Sequence, residues 1–174
     1  MTATSRKTVR VVRADITTYD TDAFVYYAQP NLVLGTGFGN AIAVRGGPSI
    51  QQELNRLAPV ETGGAVITSA GRLKATYIIH AVGPRFQEPD LEKKLRRTII
   101  TALAKADEKG IVRLAFPAMG RGFYGVPLAA SARITAETIK TYLAGKTGIQ
   151  EVVICVNDPA EVAAFQGFLP PETT

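Results

Sequence analysis

Leu114-Ala115-Phe116-Pro117-Ala118-Met119-Gly120-Arg121-Gly122-Phe123-Tyr124-Gly125-Val126-Pro127 reads as a buried strand that opens into a glycine-rich loop, with a helical pattern from Pro127 onward. The glycines at 120, 122 and 125 allow backbone angles closed to other residues and let a ligand approach the main chain closely. Successive N–H groups in such a turn converge on one point, and the helix that follows adds its positive N-terminal end. The segment is suited to hold a phosphate or diphosphate.

A second segment of the same kind lies upstream. Ala23 to Ala28 (Ala-Phe-Val-Tyr-Tyr-Ala) is a continuous apolar run, as a strand covered on both faces requires. The glycine-spaced Gly35-Thr36-Gly37-Phe38-Gly39 follows it, and then a helical stretch with Ala41, Ile42 and Val44. Gly46-Gly47-Pro48 interrupts that stretch, and Ser49 is expected to cap a helix through Leu57. Further strands are predicted at Val9 to Arg13, Ala65 to Thr68, Tyr77 to Val82, Val112 to Phe116 and Val152 to Val156. Helices are predicted over Pro89 to Lys109, with Gly110 as the stop, over Ala129 to Leu143, and over Glu161 to Phe168 with Asp158 as cap. Strands separated by helices of this length imply a largely parallel sheet with helices on both faces. Ligands bind such sheets beyond the carboxyl ends of the strands, where both glycine loops would sit.

Composition narrows the classes. The 174 residues, 46% of them hydrophobic, suffice for one α/β core and are too few for two ordinary domains. No apolar run reaches the roughly 18 residues of a membrane span, and the first residues lack the apolar segment of a signal peptide. Cys155 is the only cysteine and His80 the only histidine. That excludes an intrachain disulfide, fits a reducing cytoplasm and argues against a zinc site. Neither metal nor cofactor is expected. The net charge of +5 suits polyanions, but the basic residues form short clusters (Arg6, Lys7, Arg10, Arg13; Lys93, Lys94, Arg96, Arg97) that read as solvated surface. No basic stripe with interleaved aromatics is visible, so nucleic acid is a secondary partner and a membrane is not expected. His80 in Ile-Ile-His-Ala-Val reads as a satisfied interior residue, and Cys155 in Val-Val-Ile-Cys-Val as inert core.

Six segments in this order resemble a known family. They are Ala14-Asp15-Ile16-Thr17, Asp22-Ala23-Phe24-Val25, the loop at 35 to 39 with Asn40-Ala41-Ile42, Gly63 to Thr68, Tyr77 to Pro84, and Ala115 to Ala118 leading into Gly120 to Gly125. Together they resemble a macrodomain from about Val9 to Leu169, within one domain of 174 residues. The resemblance implies a three-layer α/β/α sandwich with a mixed, mostly parallel sheet of six or seven strands. It also implies a cleft that binds ADP-ribose, or an ADP-ribosyl group on a partner. Asp15 would accept from the adenine amine, and Ile16 would line that pocket. Gly35, Thr36, Gly37 and Phe38 match the first loop. Met119, Gly120, Arg121, Gly122, Phe123 and Tyr124 match the second, with Tyr124 beside the distal ribose. Ala28, Gln29 and Asn157 complete the expected ligand-binding set, and no residue is assigned a catalytic role.

The departures bear on chemistry. Hydrolytic members carry Asn-Ala-Ala-Asn where this chain has Tyr26-Tyr27-Ala28-Gln29, and Gly-Gly-Gly-Gly-Val-Asp where it has Leu34-Gly35-Thr36-Gly37-Phe38-Gly39. Gln29 therefore replaces an asparagine, Gly39 an aspartate, and Asn157 the aromatic that stacks on adenine. With Gly46-Gly47, these replacements are closer to the non-hydrolytic macrodomain attached to a variant core histone, here as a stand-alone version. The resemblance thus implies a binding module. The alternative is a hydrolase of ADP-ribosyl bonds, or a deacetylase of O-acetyl-ADP-ribose, that uses a non-standard group.

Overall fold

The structure, a computed structural model, describes residues 7–35 and 37–169. The elements run β1 (Thr8–Arg13), β2 (Ala23–Ala28), α1 (Phe38–Gly46), α2 (Ser49–Leu57), β3 (Ala65–Ser69), β4 (Tyr77–Val82), α3 (Leu91–Glu108), β5 (Arg113–Phe116), a single 3₁₀ turn (Gly122–Tyr124), α4 (Leu128–Ala144), β6 (Glu151–Val156) and α5 (Pro159–Gln166). The six strands lie in the order β1-β6-β5-β2-β4-β3. All neighbours pair in parallel except β3, which runs antiparallel to β4. The sheet is therefore mixed and mostly parallel, as expected.

All six residues of β2 are buried, the consequence of helices on both faces. One face packs against α3, α4 and α5 through Leu95, Ile99, Leu103, Ile134, Ile139 and Phe165. The other packs against α1 and α2 through Ile42, Ile50 and Leu54. These are the three layers. In α3 the buried Leu95, Ile99, Ala102, Leu103 and Ala106 recur at three- and four-residue spacing, one stripe of an amphipathic helix.

Two details differ from expectation at helix starts. Ser49 is not a cap: Pro48, with φ −71, occupies that position, and Ser49 is already helical. Proline's fixed φ lies in the helical region, so the turn closes one residue early. Helix α3 begins at Leu91 because Asp90 takes a left-handed conformation, φ 58. Asp158 does cap α5, its Oδ1 accepting from the Glu161 N–H at 2.9 Å.

Several residues of the basic clusters are engaged locally. Arg10 pairs with Glu151 at 3.3 Å and Arg13 donates to the Asn157 carbonyl, while Arg96 and Arg133 share Glu92 and Glu137. Arg6 lies outside the described residues. Among the described residues, no helix is long and apolar enough to cross a membrane.

Parallel pairing sends the carboxyl ends of β1, β2, β5 and β6 to one edge of the sheet. Pairing between β2 and β5 stops after Phe24 and Ala115. Beyond that point, β2 leads to α1 on one face and β5 leads to α4 on the other. A crevice between these two strand ends is the general result of such a reversal.

Candidate functional site

A cleft of about 640 Å³ occupies this crevice, within the range of about 300–1,000 Å³ usual for small-molecule and cofactor sites. Its floor is Tyr26 and Tyr27 from β2 with Pro117 and Ala118, the two residues that follow β5. One wall is built by the segments after β1 and β6: Asp15, Ile16, Asn157 and Glu161. The lips are the two glycine loops, through Gly35, Gly37, Phe38 and Gly39 of the first and Gly120 to Tyr124 of the second, with Gln29 also on the lining.

The second loop is rigidly anchored. Gly120 has φ +80, and a Cβ there would lie 2.5 Å from Val126 Cγ2, so only glycine fits. The Ser131 hydroxyl, buried on α4, donates to the Met119 carbonyl at 2.6 Å. Val126 N–H returns to the Gly120 carbonyl at 3.0 Å, and the Arg121 guanidinium donates to the Val126 carbonyl at 3.3 Å. The Tyr124 hydroxyl reaches across to the Tyr27 carbonyl at 3.3 Å, with the two rings 4.3 Å apart. The Tyr27 hydroxyl donates to the Pro84 carbonyl.

At the opposite end, the Asp15 carboxylate is held by three donors. Its Oδ1 accepts from the Thr17 N–H at 2.9 Å and the Thr17 hydroxyl at 2.6 Å. Its Oδ2 accepts from Arg45 at 2.6 Å. Burial acts to raise its pKa but is outweighed by the hydrogen bonds from Thr17 and Arg45 and by the Arg45 charge, so the carboxyl titrates below its ordinary value. Arg45 came to light only in the structure. It shares one face of α1 with Phe38 and Ala41, at i, i+3 and i+7, and all three line the cleft. That spacing was the available signal.

The expected ligand-binding residues assemble unevenly. Asp15, Ile16, Gln29, Gly35, Gly37, Phe38, Gly120, Arg121, Gly122, Phe123, Tyr124 and Asn157 all line the cleft. Ala28 and Met119 are buried and do not: Ala28 ends a strand covered on both faces, and the Met119 side chain lies in the core beneath the loop. Thr36 lies outside the described residues. Both tyrosines of β2 reach the cleft, on opposite faces of the sheet. Tyr26 packs against Phe38, ring centroids 5.2 Å apart, and its hydroxyl lies 2.5 Å from where Gly39 would carry a Cβ.

Burial raises the pKa of Tyr26, Tyr27 and Tyr124, and pushes the Cys155 thiol up to about 12. His80 is fully buried, and burial lowers its pKa to about 3. Its Nε2 lies 2.9 Å from the Thr68 hydroxyl, which donates to the Ser69 carbonyl; Nε2 therefore carries the proton, and Nδ1 has no hydrogen-bond partner. The interior reading of His80 holds, but the residue is only half satisfied. Among the described residues, no group of three or more His, Cys, Asp or Glu is placed to hold a metal ion.

The sequence model described as the Macro domain matches residues 27–135. An uncharacterized protein of Saccharolobus solfataricus is 41% identical over 152 residues, which span 85% of this chain and 84% of that one. A macro domain-containing protein of Caldanaerobacter subterraneus is 37% identical over 153 residues, 84% of this chain and 87% of that one. Among solved structures, a variant of the Oceanobacillus iheyensis macrodomain with ADPR gives a TM-score of 0.88 at 28% identity, covering 92% of this chain and 91% of that one. The Trypanosoma brucei macrodomain in complex with ADP-ribose gives 0.83 at 25% identity, covering 91% and 68%. With the family's sequence pattern across most of its core and relatives matched over most of their length, the chain belongs to the macro domain family.

Proposed function

We propose that the cleft binds ADP-ribose, free or as an ADP-ribosyl group on a partner macromolecule, and that the protein acts as a binding module. One observation carries this reading. An ionised carboxylate held by Thr17 and Arg45 stands at one end of the cleft, and an anchored, glycine-rich turn at the other. A base bearing an exocyclic amine suits the first, and a diphosphate suits backbone N–H groups at the second. In this reading Asp15 and Ile16 take the adenine, Gly35, Gly37, Phe38, Gly120, Arg121 and Gly122 flank the diphosphate, and Tyr124 and Gln29 face the distal ribose. Asn157 stands where an aromatic would cover the base. Thr36, Ala28, Met119 and Phe123 belong to the same proposed set through their loops and strand. Complexes of related macrodomains with ADPR and with ADP-ribose support the ligand class.

Binding is favoured over turnover by what lies near the ribose end. A general base works best with a pKa near the operating pH. The tyrosines there have their pKa values raised by burial, Gln29 has no basicity, and Gly39 has no side chain. Asp15 and Glu161, the carboxylates on the lining, both lie at the far wall.

Titration calorimetry and thermal unfolding with ADP-ribose test the proposal. Ligand at a hundredfold excess over the dissociation constant should stabilise the fold by about 2.7 kcal/mol, with ADP and then AMP acting more weakly. No heat and no shift at millimolar ADP-ribose would remove the reading. Release of ADP-ribose from mono-ADP-ribosylated protein at the rate of an active relative would replace the binding module with a hydrolase.

A further inference from the structure

We propose that the outer lip of the cleft, formed by Arg85, Phe86 and Phe123, seats single-stranded nucleic acid, and that such a strand can present its end to the cleft. The second clause rests on the ADP-ribose reading; the first stands without it.

Phe123 and Phe86 are large apolar side chains left 69% and 49% exposed, and neither belongs to either hydrophobic core. They are far apart in sequence and adjacent in space. The Phe86 N–H donates to the Tyr124 carbonyl at 2.9 Å, and the Phe86 Cβ lies 3.5 Å from where Gly125 would carry its own. The Arg85 guanidinium sits over the Phe123 ring, 4.8 Å from its centroid. The Phe123 ring meets Tyr124 edge-on at 5.4 Å, and Tyr124 lies 4.3 Å from Tyr27 on the cleft floor. Planar groups therefore run without a break from solvent to the bottom of the cleft. Adjacent exposed aromatics rimmed by polar groups are a mark of an interaction site.

The chemistry selects the occupant. The core of a protein–protein interface is depleted of charge. The Phe123 ring lies under the Arg85 guanidinium, so the surface pairs a ring face with a cation rather than forming a contiguous apolar patch. Single strands are held by aromatic faces that stack on bases, beside cations that meet the phosphates. Arg85 and exposed Arg121 supply the cations. Of the acids nearby, Glu88 accepts from the Arg85 N–H at 2.6 Å and pairs with Lys94 at 3.4 Å, and Asp90 stands at the head of α3. The net charge of +5 acts in the same direction. A duplex hides its base faces and would find no stacking partner here.

Fluorescence anisotropy with the whole protein and a labelled oligothymidylate of about ten nucleotides, within the site sizes of such surfaces, tests this. The strand should bind more tightly than a blunt duplex. Two phosphate contacts should give a slope of log affinity against log salt of about −1.4, reduced by about 0.7 in Arg85→Ala. Phe86→Ala should weaken binding at least about fivefold, the low end of base–aromatic stacking, and leave the salt slope unchanged. Circular dichroism and ADP-ribose titration of the same two variants check that the fold and the cleft are intact. A strand carrying a terminal ADP-ribosyl group should bind at least about a hundredfold tighter than either part alone, through effective concentration. Absence of strand binding at low salt, or binding indifferent to both substitutions, overturns the lip. So does an acidic peptide that binds in place of the strand with the same dependence on Arg85 and Phe86. Strand binding without ADP-ribose binding leaves the lip standing and removes the ADP-ribose reading. Failure of the linked ligand to bind more tightly separates lip from cleft and overturns the second clause.

Discussion

The Tyr26 hydroxyl occupies the space that any side chain at position 39 would need: a Cβ on Gly39 would lie 2.5 Å from Tyr26 Oη and 3.3 Å from Cζ. Tyr26 and Gly39, which fall in two of the segments that depart from the family pattern, thus compete for one space. Gly39 is helical and needs no unusual backbone angle, so in open surroundings Gly39→Ala would stabilise the helix by up to about 1 kcal/mol. Here the sign should reverse. We expect Gly39→Ala to cost about 1–3 kcal/mol from overpacking, and substantially less in a Tyr26→Phe background. Urea denaturation of the double-mutant cycle measures this; additive free energies would show that the two side chains do not compete for the space.

Arg45 donates to both Asp15 and Thr17 at 2.6 Å, but the pair is about half exposed. Such pairs contribute about 0–1 kcal/mol to stability, so Arg45→Ala should barely move the unfolding midpoint. Its effect should fall on the ligand. Freeing the carboxylate to rotate costs about 0.5–1.5 kcal/mol of affinity for ADP-ribose, the usual cost of ordering a side chain on binding. Losing the guanidinium also returns Asp15 toward its ordinary pKa, so the acid limb of the binding curve should move to higher pH. Asp15→Ala removes the acceptor itself and should cost roughly 1.5–3 kcal/mol. Calorimetry between pH 4 and 7 separates the two effects; an Arg45→Ala titration that overlays the parent across that range would show Thr17 to be sufficient.

Gly122 has φ +72 with nothing within 4 Å of a Cβ, whereas Gly35 has equal room without the strained angle. Gly122→Val should therefore cost about 1–2 kcal/mol of stability from the left-handed backbone alone and remove ADP-ribose binding. Gly35→Ala should leave stability within about 0.5 kcal/mol while weakening the ligand, because its only new contact is with whatever fills the cleft. Full affinity in Gly35→Ala would place the diphosphate away from the first loop.

The neutral, buried His80 sets a pH dependence. Its pKa is lowered to about 3 from an ordinary 6.5, so between these values the unfolded chain binds a proton that the folded chain does not. Stability from this residue is complete above pH 6.5 and is lost by about 1.4 kcal/mol for each pH unit below it, down to about pH 3. His80→Gln should flatten that slope relative to the parent. Denaturant midpoints at pH 7, 6, 5 and 4 give the comparison, and parallel curves would mean that His80 is protonated within the fold.

The strands are legible because burial on both faces leaves continuous apolar runs such as Ala23 to Ala28, and both glycine loops are legible from their glycines. Asp15, Gln29 and Asn157 were found through motif position, and the structure places all three on one cleft. Gly46 and Gly47, read with the variant-histone pattern, do not line it. Arg45 was missed because a surface arginine on a helix carries no local mark of its partner, 30 positions away. The aromatic and basic lip was missed for a related reason. It is not a contiguous stripe: Arg85-Phe86 meets Phe123 where a backbone hydrogen bond and a cation–ring contact join two loops distant in sequence. Ala28 and Met119 are buried and off the lining, Ala28 as the end of β2 and Met119 as a loop residue whose side chain packs into the core.

Among the described residues, strand β1 pairs with β6 alone, the Arg10 and Glu151 side chains joining residues 141 positions apart. The wall that carries Asp15 and Asn157 therefore exists only when the earliest and latest strands have met. Contacts this distant in sequence carry the loop-closure entropy of the chain between them. A nascent chain still short of Val156 has both glycine loops in hand but no wall opposite them. The wall is complete only when synthesis has passed the last strand, and in the proposed reading a ligand bridging Asp15 and Asn157 would act as a clasp against the peeling of β1 from the sheet.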